Sequence, residues 1–480
     1  MVVARYSHGQ LVIIDRLREM VRLGAGLETD GRLDKAVAAR AIACLERFGQ
    51  RLRDIHARSV RVVGTNALRQ ARGKQSFLER AREALGHPIE IISGMEEARL
   101  IYAGVAHTMP SEPGRRLVCD IGGGSTELII GEGLTPIHLE STQLGCVSMS
   151  AGFFEDGRVT AKRLQRARVA ASLELEPVQQ GFRRRGWDQA VGSSGTVRAI
   201  GEAIREISPQ ELAITPEGLD ALLVRLVSAG DARNLELAAV TAERAPVFAG
   251  GVVILTEVFE ALGMETMNIA EGAMREGLLY DMIGRFTHED SRERSVRAMQ
   301  GRYQVDAAQS ERVERVALAM LEQVATTWQL DDPLAELALQ WSARLHEIGL
   351  DVSHSRYHQH GAYLLENADM PGFPREEQRL LAQLVGCHRR KLSLERLEEL
   401  LPPWDRRALG LIVLLRLAVL LCRGRSETPP PAVELTARAR SLDIRFPRRW
   451  LQEHPLTFAD LAQEIEHLRD VGFRLRVYGN

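Results

Sequence analysis

The sequence predicts two α/β halves around a ligand cleft, followed by an all-helical segment and a small α+β unit. Three observations predict it. Strand patterns that end in turns rich in glycine and hydroxyl residues and run into helices recur through the first 280 or so residues; strand alternation is lost from about Asp281 to Glu427; and two alternating strands reappear after Pro429-Pro430-Pro431. With 480 residues the chain is too long for a single core. An apolar content of 45% and a charged content of 26% are those of a soluble globular protein, and the net charge of −2 excludes a broadly basic nucleic-acid footprint. Arg183-Arg184-Arg185, Arg389-Arg390-Lys391 and Arg423/Arg425 read as solvated faces.

Five cysteines, Cys44, Cys119, Cys146, Cys387 and Cys422, are odd in number, widely spaced and without a CxxC, as expected of reduced core thiols in a cytoplasmic protein. No signal peptide pattern opens the chain and no run of eighteen apolar residues is read. The longest apolar stretch, Leu409 to Cys422, carries Arg416 and reads as a buried helix, so no integral membrane contact is expected.

In chain order, Met1 to Tyr6 and Gln10 to Asp15 form a hairpin about Ser7-His8-Gly9. A helix follows over Arg32 to Arg53 after the turn Thr29-Asp30-Gly31, with Val37, Ile42, Leu45, Phe48 and Leu52 on one face. Ser59 to Gly64 reads as a buried strand leading into Thr65 to Arg69, where Arg69 either meets an anion or is a surface arginine beside a helix cap. Ile89 to Ser93 is a strand, and Glu96 and Glu97 open the next helix. Helical neighbours diverge by about 100°, so only one of the two acids can enter a cleft, and periodicity does not say which.

The chemistry centres on Leu117 to Gly131, LVCDIGGGSTELIIG. Two apolar runs flank Gly122, Gly123 and Gly124, with Asp120 before them and the hydroxyls of Ser125 and Thr126 after them. Glycines let backbone amides approach an anion, hydroxyls add hydrogen bonds, and a carboxylate at a strand end can hold a divalent cation. A phosphate loop is the reading, with a bland tight turn as its competitor. Ala190 to Ala199 repeats the theme: strand, then Gly192-Ser193-Ser194-Gly195-Thr196, then helix. A basic amphipathic helix covers Lys162 to Leu175, Gly250-Gly251 opens an apolar helix to Leu262, and Met267 to Ala270 is a strand running into Glu271 to Gly277. The C-terminal unit has strands at Val433 to Arg438, Leu442 to Phe446 and Phe473 to Tyr478, and a helix from Phe458 to Leu468.

Assembled, the chain resembles the exopolyphosphatase and guanosine pentaphosphate phosphohydrolase family, whose core is actin-like, or ribonuclease H-like. The resemblance is carried by VVGTNALRQA (62–71), IEIISGMEEARLIYAGVAHT (89–108), LVCDIGGGSTELIIG (117–131), LGCVSM (144–149), VGSSGTVRAI (191–200), EGAMREGLLYDM (271–282), LHEIGL (345–350) and HSRYHQHGAYLLENADMPGF (354–373). It implies an actin-like half over 1–101 and a second over 102–282, an HD-like helical domain over 283–428 and a small α+β unit over 432–480.

The resemblance makes Glu97 the catalytic carboxylate that orients or deprotonates a water for in-line attack on the terminal phosphorus, and Asp120 a ligand of Mg²⁺. Gly122, Gly123, Gly124 and Ser125 would cradle phosphate, and Gly192, Ser193, Ser194, Gly195, Thr196 and Arg69 would line the same cleft. Arg275 is a further candidate, with a helix-start role as its competitor. GGGSTE over 122–127 and the histidine-rich 354–360 segment resemble the exopolyphosphatase branch. The implied activity is therefore hydrolysis of terminal phosphoanhydrides of inorganic polyphosphate, releasing orthophosphate. The alternatives are guanosine pentaphosphate 5′-phosphohydrolase activity and a non-catalytic polyphosphate or alarmone sensor. A sugar-type kinase is disfavoured, because a water-activating glutamate sits where acceptor transfer must exclude water.

The family also carries an Asp-x-Gly-Ser-Asn-Ser phosphate loop before the strand corresponding to Met1 to Arg5. It is not in this sequence, and the expectation is an upstream start, with little phosphatase activity in the 480-residue form until those residues are restored. The helical segment resembles metal-dependent HD phosphohydrolases, but its pair is His346-Glu347, and Leu417 to Leu420 offers no aspartate. His354, His358, His360 and His388 suit a hard cation poorly, which implies a structural relic that extends the polyphosphate channel and forms a homodimer contact. A cytoplasmic location is implied, with a peripheral position at the inner membrane left open.

Overall fold

The computed structural model describes the chain apart from residues 8–9, 28–29, 111–112, 287–289, 393–396, 427 and 480. The turns expected at Ser7-His8-Gly9 and Thr29-Asp30-Gly31 fall partly outside the described residues. The chain packs as two compact units, Met1–Asp290 and Ser291–Asn480. This is a coarser division than the four segments expected above, and the boundary expected between residues 101 and 102 lies inside the helix Gly94–Thr108.

The first unit opens with the antiparallel strands Val2–Ser7 and Gln10–Arg16. The helix Lys35–Leu52 begins at Asp34, whose side chain accepts from the amide of Val37 at 2.9 Å, and it buries Val37, Ala41, Ile42, Cys44 and Leu52. The strand expected over Ser59 to Gly64 shrinks to Val63–Gly64, which pairs in parallel with Glu90–Ile91. Its earlier residues find no ladder partner: Ala57–Ser59 closes as a 3₁₀ turn, and Arg61 is drawn into an ionic cluster with Glu90 and Asp281.

A five-stranded sheet forms the second half, in the order Thr135–Thr142, Thr126–Glu132, Arg115–Ile121, Gln189–Gly192, Asn268–Ile269. The first three are antiparallel, and the last two extend the sheet in parallel. Thr135–Thr142 was not anticipated; its side chains are mostly half-buried at a sheet edge and give no clean alternation. The period of two along Arg115–Ile121 sorts the rest of the layer. Leu117, Cys119 and Ile121 face a core built with the helices Ala161–Arg185, Gly195–Ile207 and Ala245–Leu262, whereas Val118 joins Ala98, Ile101, Tyr102 and Val105 of the helix Gly94–Thr108.

Gly250 and Gly251 do not open a helix; they lie inside Ala245–Leu262. A Cβ on Gly250 would stand 2.7 Å from the carbonyl oxygen of Cys146, and one on Gly251 2.4 Å from Cγ2 of Thr196. They are glycines because the helix Cys146–Phe153 and the start of Gly195–Ile207 press against them. Among the described residues, Ala245–Leu262 is also the one helix long and apolar enough by length and composition to cross a membrane, at a mean hydropathy of 1.7, and 78% of it is buried inside the protein as a core helix.

In the second unit six long helices run from Ser291–Arg302 to Trp404–Leu421. The strands Glu434–Arg438 and Ser441–Phe446 are antiparallel, and Arg474–Gly479 pairs with the second in parallel. Leu435, Leu442, Ile444 and Leu475 share one apolar cluster with Val313, Leu339 and Leu414 of the helices, so the small sheet and the helices have a common core. Arg416, which interrupts the apolar run, is 2% exposed and gives both arms of its guanidinium to Glu464 of the helix Pro455–Arg469. It also donates to the carbonyls of Cys387 and Arg390. All five cysteines are buried and outside any disulfide.

Candidate active site

Ser93 starts the helix Gly94–Thr108 by accepting from the amide of Glu96 at 3.1 Å, which puts both acids in its first turn. Their directions then separate them. Glu96 is fully buried and takes two hydrogen bonds from Arg99, at 2.7 and 2.8 Å, within a cluster that includes Arg61 and Asp281. Glu97 points the other way, and its Oε2 accepts from Nη1 of Arg69 at 2.9 Å. Arg69, on the helix Asn66–Gln70, is anchored by a second bond to the carbonyl of Ile92 at 2.8 Å. Burial raises the pKa of Glu97, while Arg69 and a hydrogen bond from Thr65 oppose the rise.

Asp120 and Glu127 are directly opposite one another across the antiparallel pair Arg115–Ile121 and Thr126–Glu132. Asp120 accepts from the hydroxyl of Ser193, which brings the second glycine-rich turn to the first. Glu127 accepts from Ser141 at 2.8 Å and from Ser125. Burial, then the charge of Glu97, push Asp120 up to about 6 against the Ser193 hydrogen bond. Glu127 is raised well above the usual carboxylate range by burial and by both other acids. Three carboxylates thus share one buried site with one arginine. Glu127 was not singled out from the sequence, although a four-residue loop over 122–125 sets its register opposite Asp120.

The glycines act through close approach. None of Gly122, Gly123 and Gly124 has a left-handed φ. The carbonyls of Gly122 and Gly123 accept from the amides of Cys146 and Val147, each at 2.9 Å. A Cβ on Gly145 would stand 2.2 Å from the carbonyl oxygen of Gly123, and one on Gly124 2.6 Å from Oδ1 of Asn66. Among the hydroxyls, Ser125 and Ser193 are occupied by the acids, Ser194 caps Gly195–Ile207 through the amide of Val197, and Thr196 faces Sγ of Cys146 at 3.7 Å. Gly192 packs on Val197 and Met267, and the carbonyl of exposed Gly195 accepts from Arg244. Arg275 is exposed, near the α-amino group of Met1, whose pKa it helps to lower.

In the helical unit, burial lowers the pKa values of His346, His358 and His388, with His358 near 4. His346 and His388 stack edge to face at 5.5 Å, while His354 is exposed and His360 half-exposed. Among the described residues no group of three or more histidines, cysteines or acids is arranged to enclose a metal ion by itself.

An actin-like α/β frame, with three acids and an arginine set between two glycine-rich turns, defines a phosphoanhydride hydrolase. Residues 2–286 match the model of the Ppx/GppA phosphatase family and residues 291–465 that of Ppx/GppA phosphatase domain III, so the chain belongs to the Ppx/GppA phosphatase family. A protein of Vibrio vulnificus named guanosine-5′-triphosphate,3′-diphosphate pyrophosphatase is 39% identical over 476 residues, 99% of this chain and 95% of the relative. One of the same name from Vibrio cholerae is 40% identical over 478 residues, again 99% and 95%. The fold is also that of an exopolyphosphatase from Cytophaga hutchinsonii, at a TM-score of 0.53 and 23% identity, over 58% of this chain and 93% of that one.

Proposed function

We propose that the protein removes the terminal 5′ phosphate of guanosine 5′-triphosphate 3′-diphosphate as orthophosphate, with inorganic polyphosphate as a second substrate of the same cleft. The convergence of Glu97, Asp120 and Glu127 beside Arg69 carries the hydrolytic reading. The names of the full-length relatives favour the nucleotide over polyphosphate as principal substrate. Packing offers another reason for the third glycine of GGGSTE, because a Cβ on Gly124 would stand 2.6 Å from Oδ1 of Asn66.

Glu97 holds the attacking water and receives its proton, with its charge steadied by Arg69 until phosphate arrives. Backbone amides of Gly123, Gly124 and Ser125 meet the phosphate oxygens, since the amide of Gly122 is given to the carbonyl of Ser125 at 2.8 Å and the nearby serine hydroxyls are occupied by acids. Asp120 and Glu127 are hard oxygen donors that repel one another when ionised, which fits a divalent cation, and we propose Mg²⁺. Such an ion would complete its shell with water and substrate oxygens, and it supplies neutralisation of charge on the leaving phosphate.

The deciding measurement is colorimetric phosphate release by full-length protein from the guanosine pentaphosphate and from long-chain polyphosphate. A higher kcat/KM for the nucleotide is expected. A preference for polyphosphate would reverse the order of the two substrates, and release unchanged by Glu97→Gln would remove the site.

A further inference from the structure

Away from the carboxylates, the first unit carries a groove of about 420 Å³ between the start of the helix Lys35–Leu52, the turn Ala71-Arg72-Gly73-Lys74 and the helix Gln75–Leu85. Its charged lining is Arg32, Lys35, Arg72, Lys74 and Arg80, and none of its described lining residues is acidic. The whole chain has 62 basic and 64 acidic residues, so five cations without an acid in one concavity depart from the average surface. Arg32 has Asp30 nearby at 3.5 Å; Lys35, Arg72 and Arg80 have no carboxylate partner among the described residues.

Like charges facing one another in a concavity cost stability unless an anion sits between them. The backbone adds to the case. Gly73 has φ +59° and Lys74 is right-handed, an alternation that turns successive amides towards one point. The helix Gln75–Leu85 begins there without a side-chain cap, leaving its first amides open. The floor, formed by Leu33, Leu68 and Phe77, is apolar and makes no competing bonds. Lys74 ties the groove to the catalytic side, because its Nζ donates to the carbonyl of Leu68 at 2.6 Å and to that of Arg69 at 3.2 Å.

We propose that this groove is a second binding site for a phosphoanhydride chain, separate from the cleft at Glu97. The inference rests on the reading of the protein as acting on such chains. Two sources share this chemistry: the far end of a substrate already engaged at Glu97, and the phosphates of a separate nucleotide.

The test is calorimetric titration of full-length Glu97→Gln protein with inorganic tripolyphosphate. Two binding events per chain are expected. Arg72→Ala/Arg80→Ala in the same background should weaken one of them at least about tenfold, as expected for two lost charge-assisted bonds, with the melting temperature not lowered. Lys162→Ala/Arg166→Ala, the same charge loss on another helix, should weaken neither. A single event indifferent to Arg72 and Arg80, or equal weakening by both double variants, overturns the site.

In the active protein, a raised KM for long polyphosphate but not for tripolyphosphate in Arg72→Ala/Arg80→Ala assigns the groove to the far end of the substrate. Competition by guanosine 5′-diphosphate for the second event, with both KM values unchanged, assigns it to a separate nucleotide. Two binding events without any phosphate release would keep the groove and discard the proposed function; release with one event would do the reverse.

Discussion

Arg69 and Glu97 form an ion pair at 2.9 Å in which neither partner is free to solvate fully, their side chains being 19% and 11% exposed. The pair stores the charge of the proposed base without fixing it permanently, because an arriving phosphate competes for the same guanidinium. Glu97→Gln should lower kcat by about 10²–10⁴-fold, the range of a lost general base, with little change in KM. Arg69→Ala should raise KM as well as lower kcat, since it removes a proposed phosphate ligand and leaves only the Thr65 hydrogen bond to oppose the rise in the pKa of Glu97. Steady-state phosphate release separates the two patterns.

The second prediction concerns pH in metal-free protein. Asp120, at about 6, and Glu127, raised well above its usual value, hold their protons more tightly folded than unfolded. The sign follows from linkage: the stability they contribute is complete at acid pH and is lost as pH rises through their folded pKa values. With chelator present, the melting temperature should therefore gain from this pair as pH falls from 7 to 5, and Asp120→Asn should flatten that limb. Divalent cation should restore stability at pH 7 to 8, where both acids are ionised, and an unchanged melting temperature on its addition would count against a cation there.

Packing at the glycine turn makes the third prediction. Gly124→Ala should destabilise by about 1–3 kcal/mol, the usual cost of overpacking, and Asn66→Ala should relieve it, because the clash is with the Asn66 side chain. Gly145→Ala should cost more and find no such rescue, as its Cβ meets backbone at Gly123. Urea unfolding of the single and double variants reads the coupling directly.

The buried pair Arg416–Glu464 leads to the fourth. Arg416→Met should destabilise the second unit by about 3–5 kcal/mol, because it leaves Glu464 buried with only His467 beside it at 3.8 Å, whereas Arg416→Met/Glu464→Leu should recover much of the loss. A double variant no better than the single would show that the carbonyl bonds to Cys387 and Arg390 matter more than the pair.

Local pattern carried much of the architecture. Arg115–Ile121 and Thr126–Glu132 are strands because apolar residues flank a turn of small ones, and the strand, turn and helix at Gln189–Ile207 repeat that logic within a short window. Where contacts are non-local, the pattern misled. Gly250 and Gly251 looked like a helix start but are points of helix contact, and Ser59 to Gly64 looked like a strand but has partners for two residues only. Ser125 and Ser193 looked like phosphate donors, yet their hydroxyls are engaged by Glu127 and Asp120; Ser194 accepts from a helix amide and keeps its O–H to donate.

By itself the sequence determined most of the succession of elements, the two glycine-rich turns and Asp120 beside the first, because these depend on residues close together in the chain. Helical periodicity left Glu96 and Glu97 open and the family resemblance picked Glu97; in the fold Arg99, three residues on and itself bonded to Asp281 far along the chain, takes Glu96, while Arg69, 28 residues away, takes Glu97. Tertiary structure also brought the hydroxyl of Ser193 to Asp120 and set Arg275 near the α-amino group of Met1. A side chain's direction along an element is periodic, but its partner is set by which elements the core brings together.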